Sequence, residues 1–326
     1  MELSAIVTAL NGPEDAKSLL DSSIPMDNIE SKISTTGITH ISAYKDTSFN
    51  YVCEKMARFA CANGISSPTH ILTCTQTPDR LIPAPSLELL NCFEEWREVK
   101  FIDLRTGCTG FVDCAMIADL ILRSNNNACI YCFTGDISSR MIDPSDYATK
   151  LVFGDAINLS VFETIHSHQT INLPTNKLHA YESYVDKRFK DAIFREEGNM
   201  QMDGLNVLSF VMQSVVPFLI KYIENVEKKI DLAECSLILH QANAFIVDKI
   251  NKKINNKFTS LTTHNFSMSN IGNSSSSTIP IAIANELVER EGLKRNIIMC
   301  GFGAGMATHA GMIKLSSSIL SRFLKL

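Results

Sequence analysis

The chain has 326 residues, of which 45% are hydrophobic and 20% charged, and a formal net charge of −5. That length suits two domains or two fused halves, and the apolar content excludes a disordered chain. The acidic balance lacks the basic footprint of a nucleic-acid binder, so nucleic acid is not expected as a partner.

The opening residues carry no basic stretch ahead of their apolar run, so no secretory signal is expected. Residues 2–9 (ELSAIVTA) read as a strand. The spacing predicts a helix over 48–64 that ends at Gly64. A buried strand at 70–75 (HILTCT), a helix at 86–97, a strand at 100–104 (KFIDL), an apolar helix at 109–123 and strands at 128–134 and 157–162 follow. The alternation argues for an α/β protein with a mostly parallel sheet covered by helices. Residues 165–203 are polar and uneven and read as a long connection, of the kind that commonly serves as a lid or binding loop. A helix at 205–227, a strand at 234–239, helices at 242–255 and 276–290 and strands at 296–300 and 306–314 complete the chain. Ser209, Gln213, Ser214, Pro217 and Lys221 interrupt the apolar run 207–223, so no membrane span is expected there. Ten cysteines fall well below disulfide-scaffold density and sit mostly in apolar runs, which predicts reduced thiols in the cytoplasm.

Chemistry concentrates in glycine-rich junctions. In D-L-R-T-G-C-T-G-F (103–111) a strand ends, glycines flank Cys108 and an apolar helix opens. A helix N-terminus favours the thiolate and lowers its pKa, while Gly107 and Gly110 permit a tight turn; a packed core cysteine is the competing reading. L-I-L-H-Q-A-N-A-F (237–245) brings His240 to the C-terminal end of a strand, where α/β sheets bind ligands. A hydrogen-bonded core histidine competes. In S-N-I-G-N-S-S-S-S-T-I-P (269–280), Asn273 stands between a glycine and a helix, as an N-cap also would. C-G-F-G-A-G-M (300–306) either offers a backbone N–H to an oxyanion or is a hairpin turn; no helix follows, so it departs from the dinucleotide fingerprint. Cys129 and Cys132 have redox or metal spacing, but they lie in an apolar strand with no second pair nearby and read as packing.

Taken together, these motifs resemble the β-ketoacyl-acyl-carrier-protein synthase III family of thiolase-fold condensing enzymes. The resemblance covers nearly the whole chain. It also includes S-T-T-G-I-T-H-I-S-A-Y-K-D-T-S (34–48), T-C-T-Q-T-P-D-R-L-I-P-A-P (73–85), F-G-D-A (153–156) and M-D-G (202–204). It implies a thiolase-like fold of two similar βαβαβαββ halves in an α-β-α-β-α arrangement. The halves would be 1–165, carrying the nucleophilic cysteine, and 204–326, carrying the histidine and asparagine, with 166–203 as connection or lid. It further implies Cys108 as nucleophile, His240 and Asn273 as the decarboxylation pair, and the backbone N–H groups of Cys108 and Ala304 as oxyanion hole. Ile82, Phe210, Gly303 and Gly305 would line the substrate pocket. The implied partners are an acyl carrier protein, acyl and malonyl thioesters and a second copy of the chain, with no metal or redox cofactor.

This sequence departs from the family at several points. Thr35, Ser31 and Tyr147 stand where coenzyme A contacts are usual, which favours a carrier-protein primer or another activated acyl group, and Ile82 replaces the aromatic gate residue, leaving more room for a long, branched or cyclic acyl chain. Arg105, close before the nucleophile, would either hold the thiolate or pair with a buried acid. Lys249, Lys252, Lys253 and Lys257 give the helix after His240 a basic face, read as a carrier-docking patch or as solvated surface. The implied activity is decarboxylative condensation in specialised fatty-acid or polyketide-like biosynthesis. Two alternatives stand beside it: acyl transfer to an alcohol or amine on the same fold, and a non-catalytic partner subunit. The retained Asn273 favours condensation over the first, and the intact Cys108, His240 and Asn273 set argues against the second.

Overall fold

The computed structural model describes residues 1–19, 25–44, 46–143, 145–164, 181–196, 198–289 and 292–325. The strands that build the main sheet are β1 (Glu2–Leu10), β2 (His70–Cys74), β3 (Lys100–Leu104), β4 (Cys129–Asp136), β5 (Ala156–Glu163), β6 (Tyr181–Val185), β7 (Cys235–Leu239), β8 (Thr262–Thr263), β9 (Asn296–Gly303) and β10 (Ala307–Lys325). The principal helices are α1 (Met26–Thr36), α2 (Phe49–Ala62), α3 (Gly110–Ser124), α4 (Gly204–Glu227), α5 (Ala244–Asn255) and α6 (Thr278–Glu289).

The long strand β10 divides the sheet. Its first stretch pairs antiparallel with β9 and β6, and its second runs parallel to β1. On one side the order is β3-β2-β4-β5-β1, on the other β8-β7-β9-β10-β6. In both, the pairings read parallel, parallel, antiparallel, antiparallel. The sheet is therefore mixed where the sequence predicted a mostly parallel one, because the returning strands β5 and β10 close each half. Strand Tyr181–Val185 lies inside the segment read from sequence as a connection and is the outer strand of the second half. Residues 165–180 of that segment lie outside the described residues.

Burial explains the layering. Helices α3 and α6 lie between the two halves: Phe111, Val112, Cys114 and Ala118 of α3 share one core with Ile279 and Ile283 of α6, Leu72 and Ile130 of one half, and Ile238 and Ile297 of the other. A helix apolar on nearly all sides belongs in such a central layer. Outside it, α2 covers the first half through Phe49, Val52 and Met56, and α4 and α5 cover the second through Leu219, Ile223, Val247 and Ile250. The length and hydropathy of α4 would suit a bilayer, yet its Phe210, Val211, Val215 and Leu219 are buried in that core. The helix carries a π turn at Val211–Val215 just ahead of Pro217. Proline lacks the N–H that would close an α turn, and a local widening accommodates it.

Two short helices depart from expectation. The predicted helix 86–97 is a turn-and-a-half at Pro85–Leu90 followed by a 3₁₀ turn at Glu94–Trp96. Helix α1, which periodicity did not flag, carries only Ile29 and Thr36 as buried residues, so its apolar signal is weak.

Candidate active site

Both central helices begin at one place. Cys108 sits in a 3₁₀ turn, Gly107–Thr109, that leads directly into α3. The turn requires Gly107 at φ 57°, the left-handed region. The 3₁₀ turn Ser275–Ser277 leads likewise into α6. Cys108, His240, Asn273, Phe210, Phe302 and Gly303 line one cavity of about 670 Å³.

The sulfur of Cys108 is closely held. A Cβ on Gly303 would stand 2.8 Å from Cys108 Cβ and 2.9 Å from its Sγ, so only glycine fits there. The Ser275 hydroxyl lies 3.9 Å from Sγ. The backbone N–H groups of Ala304 and of Cys108 itself also donate toward the sulfur. Sequence reasoning expected a lowered pKa here. Instead, burial outweighs these donors and pushes the thiol up to about 11, with the buried Asp136 carboxylate adding to the rise. Asp136 Oδ1 accepts from Thr75 Oγ1 at 2.8 Å and from the Gln76 N–H at 2.5 Å, and burial raises its own pKa.

His240 follows β7, and its N–H donates to the Cys300 carbonyl at 2.8 Å. The rest of its motif is structural: Gln241 bonds the Leu239 carbonyl and the Ser267 N–H, and Asn243 caps α5 through the Ile246 N–H. The imidazole packs edge-on against Phe302, with centroids 5.2 Å apart, and burial lowers its pKa to about 3. It is therefore neutral at physiological pH. Its Nδ1 lies 2.7 Å from Thr278 Oγ1, which already accepts from the Gln241 N–H at 3.3 Å. The hydroxyl has one proton for two acceptors, Nδ1 and the Ser275 carbonyl oxygen at 3.2 Å; we assign it to the shorter contact, Nδ1, which leaves the imidazole proton on Nε2.

Asn273 is fixed by its backbone and by its side chain. Its N–H donates to the Val152 carbonyl at 2.8 Å and its carbonyl accepts from the Gly154 N–H at 3.0 Å. Oδ1 accepts from the Ser275 N–H at 2.9 Å, so the Nδ2 donors remain for a ligand. This is a loop brace rather than the helix N-cap the sequence also allowed. F-G-D-A acts here too, since a Cβ on Gly154 would stand 1.8 Å from the Ile271 carbonyl oxygen.

Other expected residues fall differently. Ile82 is 87% exposed and lines neither described cavity, and Gly305 has open space around it; the neighbouring Leu81 does line a second cavity. Arg105 pairs with no acid among the described residues, and the strongest influences on the thiol come from burial, Ser275, Asp136 and Ala304 rather than from it. Cys129 and Cys132 are buried in β4 as free thiols. Lys249, Lys252, Lys253 and Lys257 are exposed on or just after α5; Lys257 pairs with Glu224, and Lys249 lies 5.1 Å from the centroid of Phe245, which lines the cavity. His309 bonds Asp113 at 2.5 Å and so ties β10 to α3. Sequence reasoning missed Ser275, Thr278, Asp136 and Lys32, which lines the cavity. Only the serine run gave a signal.

These features define a thiolase-like fold with a buried cysteine, histidine and asparagine on one cavity. The model of the 3-oxoacyl-[acyl-carrier-protein] synthase III C-terminal region matches residues 229–315, and that of the synthase III itself matches 102–171. The β-ketoacyl-[acyl-carrier-protein] synthase III of Lactococcus lactis subsp. cremoris is 28% identical, covering 93% of this chain and 96% of its own. That of Clostridium perfringens is 27% identical over 75% of this chain and 77% of its own. The crystal structure of a 3-oxoacyl-(acyl-carrier protein) synthase from Burkholderia xenovorans superimposes with a TM-score of 0.82 at 19% identity, covering all of this chain and 97% of that one. Over residues 102–171 and 229–315 the chain is similar to the 3-oxoacyl-acyl-carrier-protein synthase III family.

Proposed function

We propose that the protein joins an acyl group carried on Cys108 to a malonyl thioester with loss of carbon dioxide. The observation that carries this reading is the convergence of Cys108, a neutral His240 and the free amide donors of Asn273 on one cavity. Cys108 Sγ attacks the thioester carbonyl as its proton passes, through water, to the departing carrier sulfur; the N–H groups of Cys108 and Ala304 hold the oxyanion, the carbonyl carbon's bond to the carrier sulfur breaks, and the carrier leaves as a thiol. The malonyl thioester then enters the emptied cavity. His240 Nε2–H and Asn273 Nδ2–H donate to its thioester oxygen, which gathers enolate charge as carbon dioxide departs. The enolate carbon attacks the acyl-cysteine, the bond from the acyl carbon to Cys108 Sγ breaks as the β-ketoacyl thioester forms, and Cys108 leaves as a thiolate that takes a proton from water. A neutral imidazole with its proton on Nε2 supplies one such donor without burying a positive charge in the site.

An acyl carrier protein is the proposed donor. Phe245 lines the cavity with Lys249 beside its ring, and Lys252 and Lys253 extend the positive face available to an acidic partner. A homodimer is proposed through edge strand β3, where Phe101 and Ile102 are 43% and 40% exposed, and in it the exposed Ile82 would serve the partner's cavity. Ten free thiols suit a reducing cytoplasm. The test is product analysis with malonyl-carrier protein and a primer thioester. A β-ketoacyl-carrier protein is expected; an ester or amide formed without carbon dioxide release would support acyl transfer instead.

A further inference from the structure

A second cavity, of about 490 Å³, lies near the Cys108 turn, although Cys108 itself lines only the first. Gln76 and Ala304 form its inner end: the Gln76 side chain stands 3.0–3.2 Å from where a Cβ on Gly107 would lie, and Ala304 donates its N–H toward the Cys108 sulfur. Ile193 lines both cavities. In both half-reactions the carrier's thioester arm must occupy the larger cavity, which holds His240 and Asn273. The acyl chain on Cys108 therefore has the second one to occupy.

Its lining is not that of a purely hydrocarbon pocket. Met141 and Met200 give apolar walls, but Arg105 and Arg195 also face it, against one acid, Glu196. Glu196 lines an outer groove with Asp143 as well, which puts it at the rim. Arg195 is anchored by its Nε, which donates to the Gly198 carbonyl at 2.6 Å. Arg105 has no hydrogen-bond or ion-pair partner among the described residues and follows directly on β3, three positions before Cys108. Both arginines are exposed at the cavity, and a methyl-terminated chain would lay hydrocarbon beside their guanidinium groups and offer them no acceptor. A carboxylate at the chain's far end would instead meet forked donors of opposite charge.

Building on the reading of Cys108 as acyl acceptor, we propose that this cavity selects primers whose acyl chain ends in an anionic group, a dicarboxylic half-thioester being the simplest, with Arg105 as the specificity-determining residue. The experiment measures Cys108 acylation by intact mass with pantetheine thioesters of matched length: butanoyl against succinyl, hexanoyl against adipoyl, octanoyl against suberoyl. At the best-fitting length the wild type should load the carboxyl-terminated member faster. Arg105→Met should shift the ratio toward the methyl-terminated member by roughly three- to tenfold, Arg105→Lys should shift it less, and Arg195→Met should move it the same way. Circular dichroism confirms that each variant is folded. A wild-type preference for the methyl-terminated member at every length, or an unchanged ratio in Arg105→Met and Arg195→Met, overturns the proposal while leaving Cys108 as acceptor. Loading that persists in Cys108→Ser removes the underlying reading and the proposal with it.

Discussion

In the free protein the Cys108 sulfur is a thiol at neutral pH, because burial costs the thiolate more than the surrounding donors return. With a pKa of about 11, its thiolate fraction rises about tenfold per pH unit well into the alkaline range. Iodoacetamide alkylation, followed on the Cys108 peptide, should climb from neutral pH past pH 9 without a plateau; a plateau reached by pH 8 would contradict the burial argument. For His240 the sign runs the other way. The folded form holds the imidazole neutral down to about pH 3, whereas the unfolded chain protonates it below about 6.5. Its contribution to stability is complete above that pH and is lost as pH falls toward 3. Decarboxylation should accordingly show no step near pH 6.5 that His240→Gln abolishes. His240→Ala and Asn273→Ala should each cost decarboxylation about 10²–10³-fold while still allowing Cys108 to be acylated, which radiolabelled carbon dioxide release and intact mass together report. Equal loss of both activities would refute this division of roles.

At the scale of the element, the loop ahead of α6 organises the site. Asn273 faces the cavity, Ser275 braces both Asn273 and Cys108, and Thr278 sets the imidazole proton. Thr278→Val should slow decarboxylation roughly tenfold and leave acyl loading nearly intact, because only the tautomer is released. The brace behind this loop is Gly154. Gly154→Ala should cost stability on the order of 3 kcal/mol, read by chemical denaturation, since the Ile271 carbonyl occupies the space of the new methyl. The strand–turn–helix setting of Cys108 and the strand end at His240 were legible because an abrupt change from apolar run to glycine marks them. The thiol's raised pKa was not, since helix-terminus geometry is local while desolvation comes from Gly303 and the whole second half. Ser275, Thr278 and Asp136 were likewise hidden, because polar residues that support a site carry no pattern of their own. Strand Tyr181–Val185 was missed because its burial is slight, which leaves no alternation of apolar positions to read.

For the whole molecule, the pseudo-symmetric halves place the N-termini of two central helices against each other, and the site is the seam between them. Assembly is the next consequence. Phe101→Glu with Ile102→Glu should convert a dimer to a monomer by light scattering, and an unchanged mass would remove edge strand β3 from the interface. Lys252→Glu with Lys253→Glu should slow carrier-protein substrates more than pantetheine thioesters, chiefly at low salt; equal effects on both would leave the patch a solvated surface. In the proposed reaction a single acyl-cysteine stands between two thioester substrates. That proposal is tested most directly by intact mass spectrometry of the protein, first after an acyl thioester and then after malonyl-carrier protein. The account predicts one acyl adduct mapped to Cys108, absent in Cys108→Ser and retained in Cys132→Ser, which disappears as the β-ketoacyl-carrier protein forms. An adduct that maps elsewhere, or that stays while product accumulates, would contradict it.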